Sequence, residues 1–192
     1  MNENLEFLQA FLKNPLDVGA VTPSSPDLAM GMIDGMRPDG DSIILELGVG
    51  TGALTKFLQT VGVDEKSYLG LEINRKFVNS LKTQFPDLRF VRGSAGKAFS
   101  IHQRSGLGEV RYIISGLPFS TLSGNVGDTI FTEINKFMER GCLFRTFQYA
   151  HSACLPSAAK FRRTMEKRYG KVEKSEIILK NVPPAYTLTW RT

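Results

Sequence analysis

Short apolar runs alternate with segments of helical periodicity through most of this chain. The apolar runs predict strands at residues 42–47, 67–72, 88–92, 110–115 and 143–149. Helices are predicted between them, from the glycines after residue 47 through Gln59, at about 75–85 and at about 127–138. Strands that alternate with helices in this way indicate a parallel sheet with helices on both faces.

The C-terminal part of the chain breaks this alternation. A helix is predicted at residues 156–169, and two consecutive strands follow at 171–180 and 185–191. Two successive strands without a helix between them indicate an antiparallel hairpin at the edge of the sheet. The predicted fold class is therefore α/β, a doubly wound Rossmann-like sheet, mostly parallel, with an antiparallel C-terminal edge hairpin.

The N-terminal segment, residues 1–37, is predicted to be helical. Leu5, Leu8, Phe11 and Leu12 have helical spacing and form one apolar face, and this short helix ends before Pro15. Ser25 is expected to cap a second helix that begins at Pro26 and runs to about residue 36. The first helix suits either a lid packed on its own domain or a helix lying in a membrane interface.

Length and composition indicate a single globular domain, residues 1–192, whose α/β core is residues 42–192. Hydrophobic residues make up 42% and charged residues 22% of the chain, which are ordinary values for soluble proteins. No apolar run approaches a membrane span and no signal peptide is evident, so a cytoplasmic location is expected. With only Cys142, Cys154 and two histidines, a metal site is not expected, and both thiols are expected to be buried.

The positive charge of the chain is concentrated in residues 160–180. Eight basic and three acidic side chains lie there, an excess that equals the net charge of +5 for the whole chain. A basic sector suits an anionic partner, either nucleic acid or an anionic membrane surface. A solvated helix face would account for the same pattern.

A glycine-rich turn follows the first predicted strand. The strand ends at Glu46 and Leu47 and leads into Gly48-Val49-Gly50-Thr51-Gly52, where backbone can approach a nucleotide-like ligand closely. The spacing differs from that of dinucleotide sites, and Glu46 suits a ligand with a cationic amino-acid end. Glu72 ends the second strand, where a carboxylate accepts hydrogen bonds from ribose hydroxyls. Ser94 and Ala95 follow the third strand and are small enough to flank an adenine.

Residues 46–52 resemble motif I of the class I S-adenosylmethionine-dependent methyltransferases, and the resemblance extends over about residues 42–150. It implies that S-adenosylmethionine is the cofactor, that the glycines contact its methionine end, that Glu46 orients this end and that Glu72 binds the ribose. Many members carry an acidic residue where this chain has Ser94. The implied cofactor-binding residues are Glu46, Gly48, Gly50, Thr51, Gly52, Glu72, Ile73, Ser94, Ala95 and Gly116.

The segment after the fourth strand, Ser115-Gly116-Leu117-Pro118-Phe119, bears on the methyl acceptor. N6-adenine methyltransferases of DNA and RNA have Asn or Asp at the place of Gly116, and the ribosomal RNA adenine dimethylases have Asn-Leu-Pro-Tyr. The side-chain oxygen accepts a hydrogen bond from the target amino group, and the aromatic ring stacks on the base. Glycine has no side-chain acceptor, which disfavours an adenine substrate.

A second family resembles the chain over more of its length. Bacterial phospholipid N-methyltransferases have Ser-Gly-Leu-Pro after this strand, a segment similar to residues 15–25, and a Pro-Pro-Ala segment like residues 183–185 ahead of an aromatic-basic strand. They have Tyr-Gly where this chain has Tyr149-Ala150. The resemblance implies a membrane-bound substrate, phosphatidylethanolamine, whose amine is methylated stepwise. Together with the cytoplasmic location expected above, this predicts peripheral contact at the inner membrane face.

Candidate catalytic residues are Tyr149, His151 and Phe119. An attacking amine must be neutral, and either Tyr149 or His151 would accept its proton, directly or through water. The rings of Phe119 and Tyr149 would face the methylated cation. Structural hydrogen bonding of Tyr149 and His151 remains an alternative, as do three other functions: an RNA or DNA adenine N-methyltransferase, a small-molecule methyltransferase, and a cofactor-binding protein without turnover.

Overall fold

A computed structural model describes residues 24–38, 41–122 and 124–192 of the chain. The predicted helix at residues 5–12 lies outside these residues. The described strands are β1 (Ser42–Leu47), β2 (Tyr68–Glu72), β3 (Phe90–Arg92), β4 (Glu109–Ser115), β5 (Leu143–Tyr149), β6 (Glu173–Lys174) and β7 (Ala185–Trp190). The described α-helices are α1 (Pro26–Ile33), α2 (Thr55–Leu58), α3 (Arg75–Gln84), α4 (Ala98–Gln103), α5 (Gly124–Met138) and α6 (Pro156–Tyr169).

The strands form a seven-stranded sheet in the order β3-β2-β1-β4-β5-β7-β6. The first five of these in space are parallel, and β7 pairs antiparallel with both β5 and β6. This confirms the predicted Rossmann-like sheet with its antiparallel edge hairpin. Chain order reverses between β1 and β4, and the carboxyl ends of these strands border the crevice where ligands of such sheets bind.

The edge strand is much shorter than predicted. The strand expected at residues 171–180 is reduced to Glu173–Lys174. Beyond it the ladder is interrupted because Ser175 uses its side chain, whose Oγ accepts a hydrogen bond from the Thr187 amide. Only an isolated bridge between Ile178 and Ala185 continues the pairing.

Helix α1 ends earlier than the predicted residue 36. Its N-terminus is as expected, since the Ser25 side chain accepts a hydrogen bond from the Leu28 amide and Pro26 begins the helix. At the other end the chain leaves the helix at Asp34, and Gly35 takes a left-handed conformation with φ of 69°. Left-handed glycine is a common helix stop.

The segment between β3 and β4 contains helix that the sequence pattern did not predict. Residues Ala95–Lys97 form one 3₁₀ turn, and α4 follows directly. Six residues are too few to show a clear helical period. The Phe99 amide donates to the buried carboxylate of Glu133 on α5, so tertiary contact holds this short helix in place.

Two apolar clusters pack on opposite faces of the sheet. All six residues of β1 are buried, as expected for a central parallel strand covered on both sides. Cys142 is buried, but Cys154 is exposed, so the prediction of two buried thiols is wrong for Cys154. None of the helices in the described residues is long and apolar enough to cross a membrane.

Candidate functional site

The turn after β1 brings bare backbone to the carboxyl edge of the sheet. Gly48, Gly50 and Gly52 all have positive φ, at 73°, 59° and 84°, which other residues rarely adopt. A Cβ at Gly48 would lie 2.5 Å from the Leu117 side chain, whereas one at Gly50 would meet nothing within 4 Å. The turn is therefore closed toward β4 and open above Gly50, where a ligand has room to contact the backbone.

Glu72 fixes the shape of this turn from the end of β2. One carboxylate oxygen accepts a hydrogen bond from the Gly50 amide at 2.8 Å, and the other accepts one from the Asn74 amide at 2.7 Å. The side chain is buried. A carboxylate that holds two backbone amides is well ordered, and its remaining lone pairs are the ones that would accept ribose hydroxyls. Its ribose contact stays a prediction.

Glu46 is buried at the end of β1 and hydrogen-bonded to two hydroxyl groups. Its Oε2 accepts from Tyr68 at 2.6 Å and from Thr55 at 2.9 Å. Tyr68 reaches it because Gly70 stands opposite Glu46 in the ladder, where a Cβ would lie 2.6 Å from the Tyr68 hydroxyl oxygen. Burial raises the pKa of Glu46 to about 7, against the lowering effect of the two hydrogen bonds. A cationic group placed beside this carboxyl would favour its charged form.

The end of β3 forms one wall of an open cleft of about 860 Å³. Ser94 and Ala95 line the cleft there, together with Ile73 from the end of β2; their contact with an adenine stays a prediction. The Ser94 hydroxyl accepts a hydrogen bond from the Gly96 amide, so it caps the turn that follows. Four cationic side chains and no carboxylate line the cleft: Arg89, Arg92, Lys97 and Arg104.

Gly116 connects the glycine turn to a second cavity. Its amide donates to the Leu47 carbonyl, and a Cβ at this position would lie 3.2 Å from the Gly48 carbonyl oxygen. The cavity, of about 110 Å³, opens beside it. We call it the acceptor pocket. It is lined by Gly116, Leu117, Pro118, Phe119, Ser120, Thr146, Phe147, Gln148, Tyr149, Ala158, Phe161 and Leu188.

One face of the Phe119 ring is covered by another aromatic side chain. It stacks on Phe161 with ring centroids 4.4 Å apart and an interplanar angle of 9°, and it meets Phe144 edge-on. Only 9% of its surface is exposed. One face of the ring is thus covered by Phe161, and a base cannot stack there while the pair is intact. Phe119 and Phe161 together form an aromatic wall of the acceptor pocket.

Tyr149 and His151 lie where β5 ends, with their rings parallel and 5.7 Å apart. Tyr149 is half-buried and lines the acceptor pocket, whereas His151 is exposed and lies beyond the lining residues. Burial raises the pKa of Tyr149, so the phenol keeps its proton at neutral pH. Ala150 begins a 3₁₀ turn, and no described non-glycine residue has a positive φ, so the turn accommodates alanine.

The sequence did not single out several residues of this site. Phe161 was missed although Ala158, Phe161 and Met165 have helical spacing on the inward side of the basic helix. Gln148 was also missed; its Oε1 accepts hydrogen bonds from Arg162 and from the hydroxyl of Tyr186. The cations of the large cleft carry no local pattern, because loops and different elements bring them together.

The known proteins that this chain resembles in sequence or structure include several methyltransferases. No model of a known protein family matches the chain. An ornithine lipid N-methyltransferase of Singulisphaera acidiphila is 23% identical over 141 residues, which are 72% of this chain and 73% of that protein.

Two solved structures share the fold. A TehB-like SAM-dependent methyltransferase from Corynebacterium glutamicum superposes with a TM-score of 0.60 at 16% identity, covering 98% of this chain and 97% of its own. The 1,6-didemethyltoxoflavin-N1-methyltransferase of Burkholderia thailandensis, with bound 1,6-didemethyltoxoflavin and S-adenosylhomocysteine, gives a TM-score of 0.63 at 12% identity, covering 98% of this chain and 86% of its own. The chain therefore shares the fold of these S-adenosylmethionine-dependent methyltransferases.

Proposed function

We propose that the chain is an S-adenosylmethionine-dependent N-methyltransferase that methylates the amine of a membrane lipid, of the phosphatidylethanolamine or ornithine lipid type. The observation that carries this proposal is the acceptor pocket. It adjoins the glycine turn at Gly116 and offers aromatic rings with no carboxylate. A lipid amine becomes a larger, less hydrated cation with each methyl group, and ring faces attract such cations. The similarity to an ornithine lipid N-methyltransferase supports the same acceptor class.

The residues present fit the cofactor. The glycines with positive φ leave the backbone accessible above Gly50, and the Glu72 carboxylate is hydrogen-bonded to the Gly50 amide. Ile73 and Ser94 line the neighbouring open cleft. When bound, the cofactor supplies a methyl group on a sulfonium. Glu46 would hold the cationic amino-acid end, and Ile73, Ser94 and Ala95 would flank the adenine. Gly116 leaves the space between this cofactor site and the acceptor pocket unfilled.

The amine must lose its proton before it attacks. Because burial raises the pKa of Tyr149, its hydroxyl oxygen would orient the amine by accepting a hydrogen bond rather than by taking its proton. His151 stacks on Tyr149 at the exposed rim, where it would receive the proton through water. The apolar lining strips water from the ammonium and favours its neutral form.

A methyl-transfer assay with labelled cofactor tests the proposal. Vesicles containing phosphatidylethanolamine, vesicles containing ornithine lipid, ribosomal RNA and water-soluble amines are compared in parallel. Label is expected in one of the lipid classes and not in RNA. Label in RNA alone would overturn the proposal, and label in the soluble amines alone would assign the chain to small-molecule methylation.

The arginine-lined cleft favours a second candidate, a nucleic-acid N-methyltransferase. Arg89, Arg92, Lys97 and Arg104 border about 860 Å³ of open space beside the expected adenine position, and such a surface suits phosphates. Gly116 opposes this candidate, since it offers no acceptor to an adenine amino group. The RNA arm of the assay, repeated at increasing salt, distinguishes the two.

A further inference from the structure

The segment between β6 and β7, residues 175–184, presents an unusual apolar surface, which we call the apolar loop. Leu179 is 75% exposed, Val182 66% and Ile177 49%. These are three of the five large apolar side chains that are exposed in the described part of the chain. Single exposed apolar residues are ordinary, but three on one short loop indicate an interaction surface.

The backbone of the apolar loop is firmly anchored. Asn181 is buried; its Oδ1 accepts a hydrogen bond from the Ser25 amide, and its Nδ2 donates to the Pro183 carbonyl. The Ile178 amide donates to the Ala185 carbonyl at 2.7 Å. The three apolar side chains are therefore held outward by fixed backbone, although that exposes them to water.

The apolar loop lies at the same edge of the sheet as the acceptor pocket. It leads into β7 at Ala185, which pairs with Tyr149 at the end of β5. The Pro184 carbonyl accepts a hydrogen bond from the Ala150 amide, between Tyr149 and His151. A surface that touched the loop would thus meet the protein beside the residues that we place around the amine.

The charges around the apolar loop favour an anionic surface. Residues 171–184 contain three lysines (Lys171, Lys174 and Lys180) and two acids (Glu173 and Glu176). Lys180 pairs with Asp27 at 3.5 Å, but both side chains are largely in water, where such a pair is weak. Apolar side chains that enter the acyl region, flanked by lysines at headgroup level, are typical of interfacial membrane binding.

We infer that the apolar loop inserts Ile177, Leu179 and Val182 into an anionic lipid bilayer and so holds the acceptor pocket against the membrane. The inference rests on the proposed lipid substrate for its purpose, although the insertion itself is measured separately. It assigns membrane contact to a rigid turn beside the site, in addition to any contribution of residues 1–12.

Fluorescence of an introduced tryptophan tests the insertion. The chain has one tryptophan, Trp190, which is buried, so a second probe in L179W reports on the loop. Vesicles of phosphatidylglycerol and phosphatidylethanolamine should shift the L179W emission to the blue, and brominated acyl chains should quench it. The control Q103W carries its probe at the exposed end of α4, near the amino ends of the strands, and should show neither effect.

Several outcomes overturn the inference. An L179W emission that is unaffected by vesicles excludes insertion. The L179W emission could instead be blue-shifted already without lipid. If it then moves to the red when residues 1–12 are deleted, the apolar loop is covered by the chain's own N-terminal segment. If it moves to the red when the protein is diluted, the loop is covered by a second copy of the chain. Equal quenching of L179W and Q103W indicates non-specific adsorption.

A double variant separates membrane docking from chemistry. L179S/V182S should bind the same vesicles at least about tenfold more weakly, because each buried apolar side chain contributes that much. Its turnover on monomeric dihexanoyl phosphatidylethanolamine or on a soluble short-chain ornithine lipid should equal that of the wild type. Unchanged vesicle binding overturns the inference. A wild type that binds vesicles through the loop but methylates no lipid leaves the insertion standing and overturns the proposed function.

Discussion

Glu46 is the most deeply buried acidic residue in the described part of the chain, with only 1% of its surface exposed. Water removal raises its pKa to about 7, while Tyr68 and Thr55 donate to one oxygen and Glu72 adds a further raising effect. Near neutral pH the folded protein therefore holds a partly protonated carboxyl at the end of β1. A ligand with a positive charge would release this proton on binding.

The raised pKa of Glu46 makes stability depend on pH. Between about pH 4.5 and 7 the folded state retains a proton that the unfolded chain has lost, so the free energy of unfolding should fall as pH rises. The loss amounts to roughly 3 kcal/mol at most and is complete above pH 7. Glu46→Gln should lack this dependence. Urea unfolding of both proteins across this range checks it, and parallel pH profiles would contradict it.

A single substitution at Gly116 should distinguish a lipid acceptor from an adenine acceptor. In Gly116→Asn the new Cβ would lie 3.2 Å from the Gly48 carbonyl, and the amide would fill the passage to the acceptor pocket. Lipid methylation should fall about a hundredfold or more, as expected for a misplaced acceptor, while calorimetry still detects cofactor binding. Gly116→Ala, with the same Cβ and no amide, is the matched control. Retained lipid turnover would contradict the assigned role of Gly116, and a gain on RNA would favour the adenine alternative.

The positions of the proposed cofactor residues were easier to predict from the sequence than the packing of the acceptor pocket. Gly48, Gly50, Glu72 and Ser94 follow successive strand ends, and parallel topology brings strand ends together. Phe161 belongs to a distant helix, and only tertiary packing places it on Phe119. Local pattern cannot show that one ring covers another, so the sequence did not predict that Phe161 covers one face of Phe119.

At the level of elements, Arg145 joins α1 to the sheet. This buried side chain on β5 donates to the Gly31, Met32 and Asp34 carbonyls at the end of α1, and its Nε donates to Thr189 on β7. The last carbonyls of a helix have no partner within the helix. Arg145 supplies those partners and favours the helix end by its charge.

Replacing Arg145 should therefore detach α1. Arg145→Met keeps much of the apolar stem but leaves three carbonyls without their donor, and it should lower the free energy of unfolding by about 2–4 kcal/mol. Arg191→Ala is the control, because Arg191 makes only an exposed pair with Glu173 and should change stability by less than about 1 kcal/mol. Urea unfolding measures both, and equal effects would refute the assigned role of Arg145.

The sequence predicted β1, β5 and α6 to the residue, because each has a clear period and a marked end. Pro156 begins α6 and Gly170 ends it, and the five apolar strands of a parallel sheet need no partner to be recognised. The shortened β6 and the helix α4 were missed, since both depend on contacts with distant residues: Ser175 with Thr187, and Phe99 with Glu133.

At the scale of the whole molecule, the described residues contain a seven-stranded sheet covered by two apolar clusters. Deleting residues 1–12 should therefore leave a cooperative thermal transition. Vesicle binding should fall at least about tenfold if the apolar face of Leu5, Leu8, Phe11 and Leu12 contributes even one buried side chain. Trp190 fluorescence follows melting and sedimentation follows binding. Loss of the transition would make the segment a structural part of the fold.

The position of β7 in the sheet determines when the protein can complete its fold during translation. It lies between β5 and β6 in the sheet, although it follows both in the chain. Once β5 has left the exit tunnel and until β7 follows it, the growing polypeptide has an open edge on β5 and no Thr189 for Arg145 to contact. Unpaired edges invite association with other chains. The nascent protein thus completes its sheet only after residue 190 has left the exit tunnel, and chaperones would find β5 exposed until then.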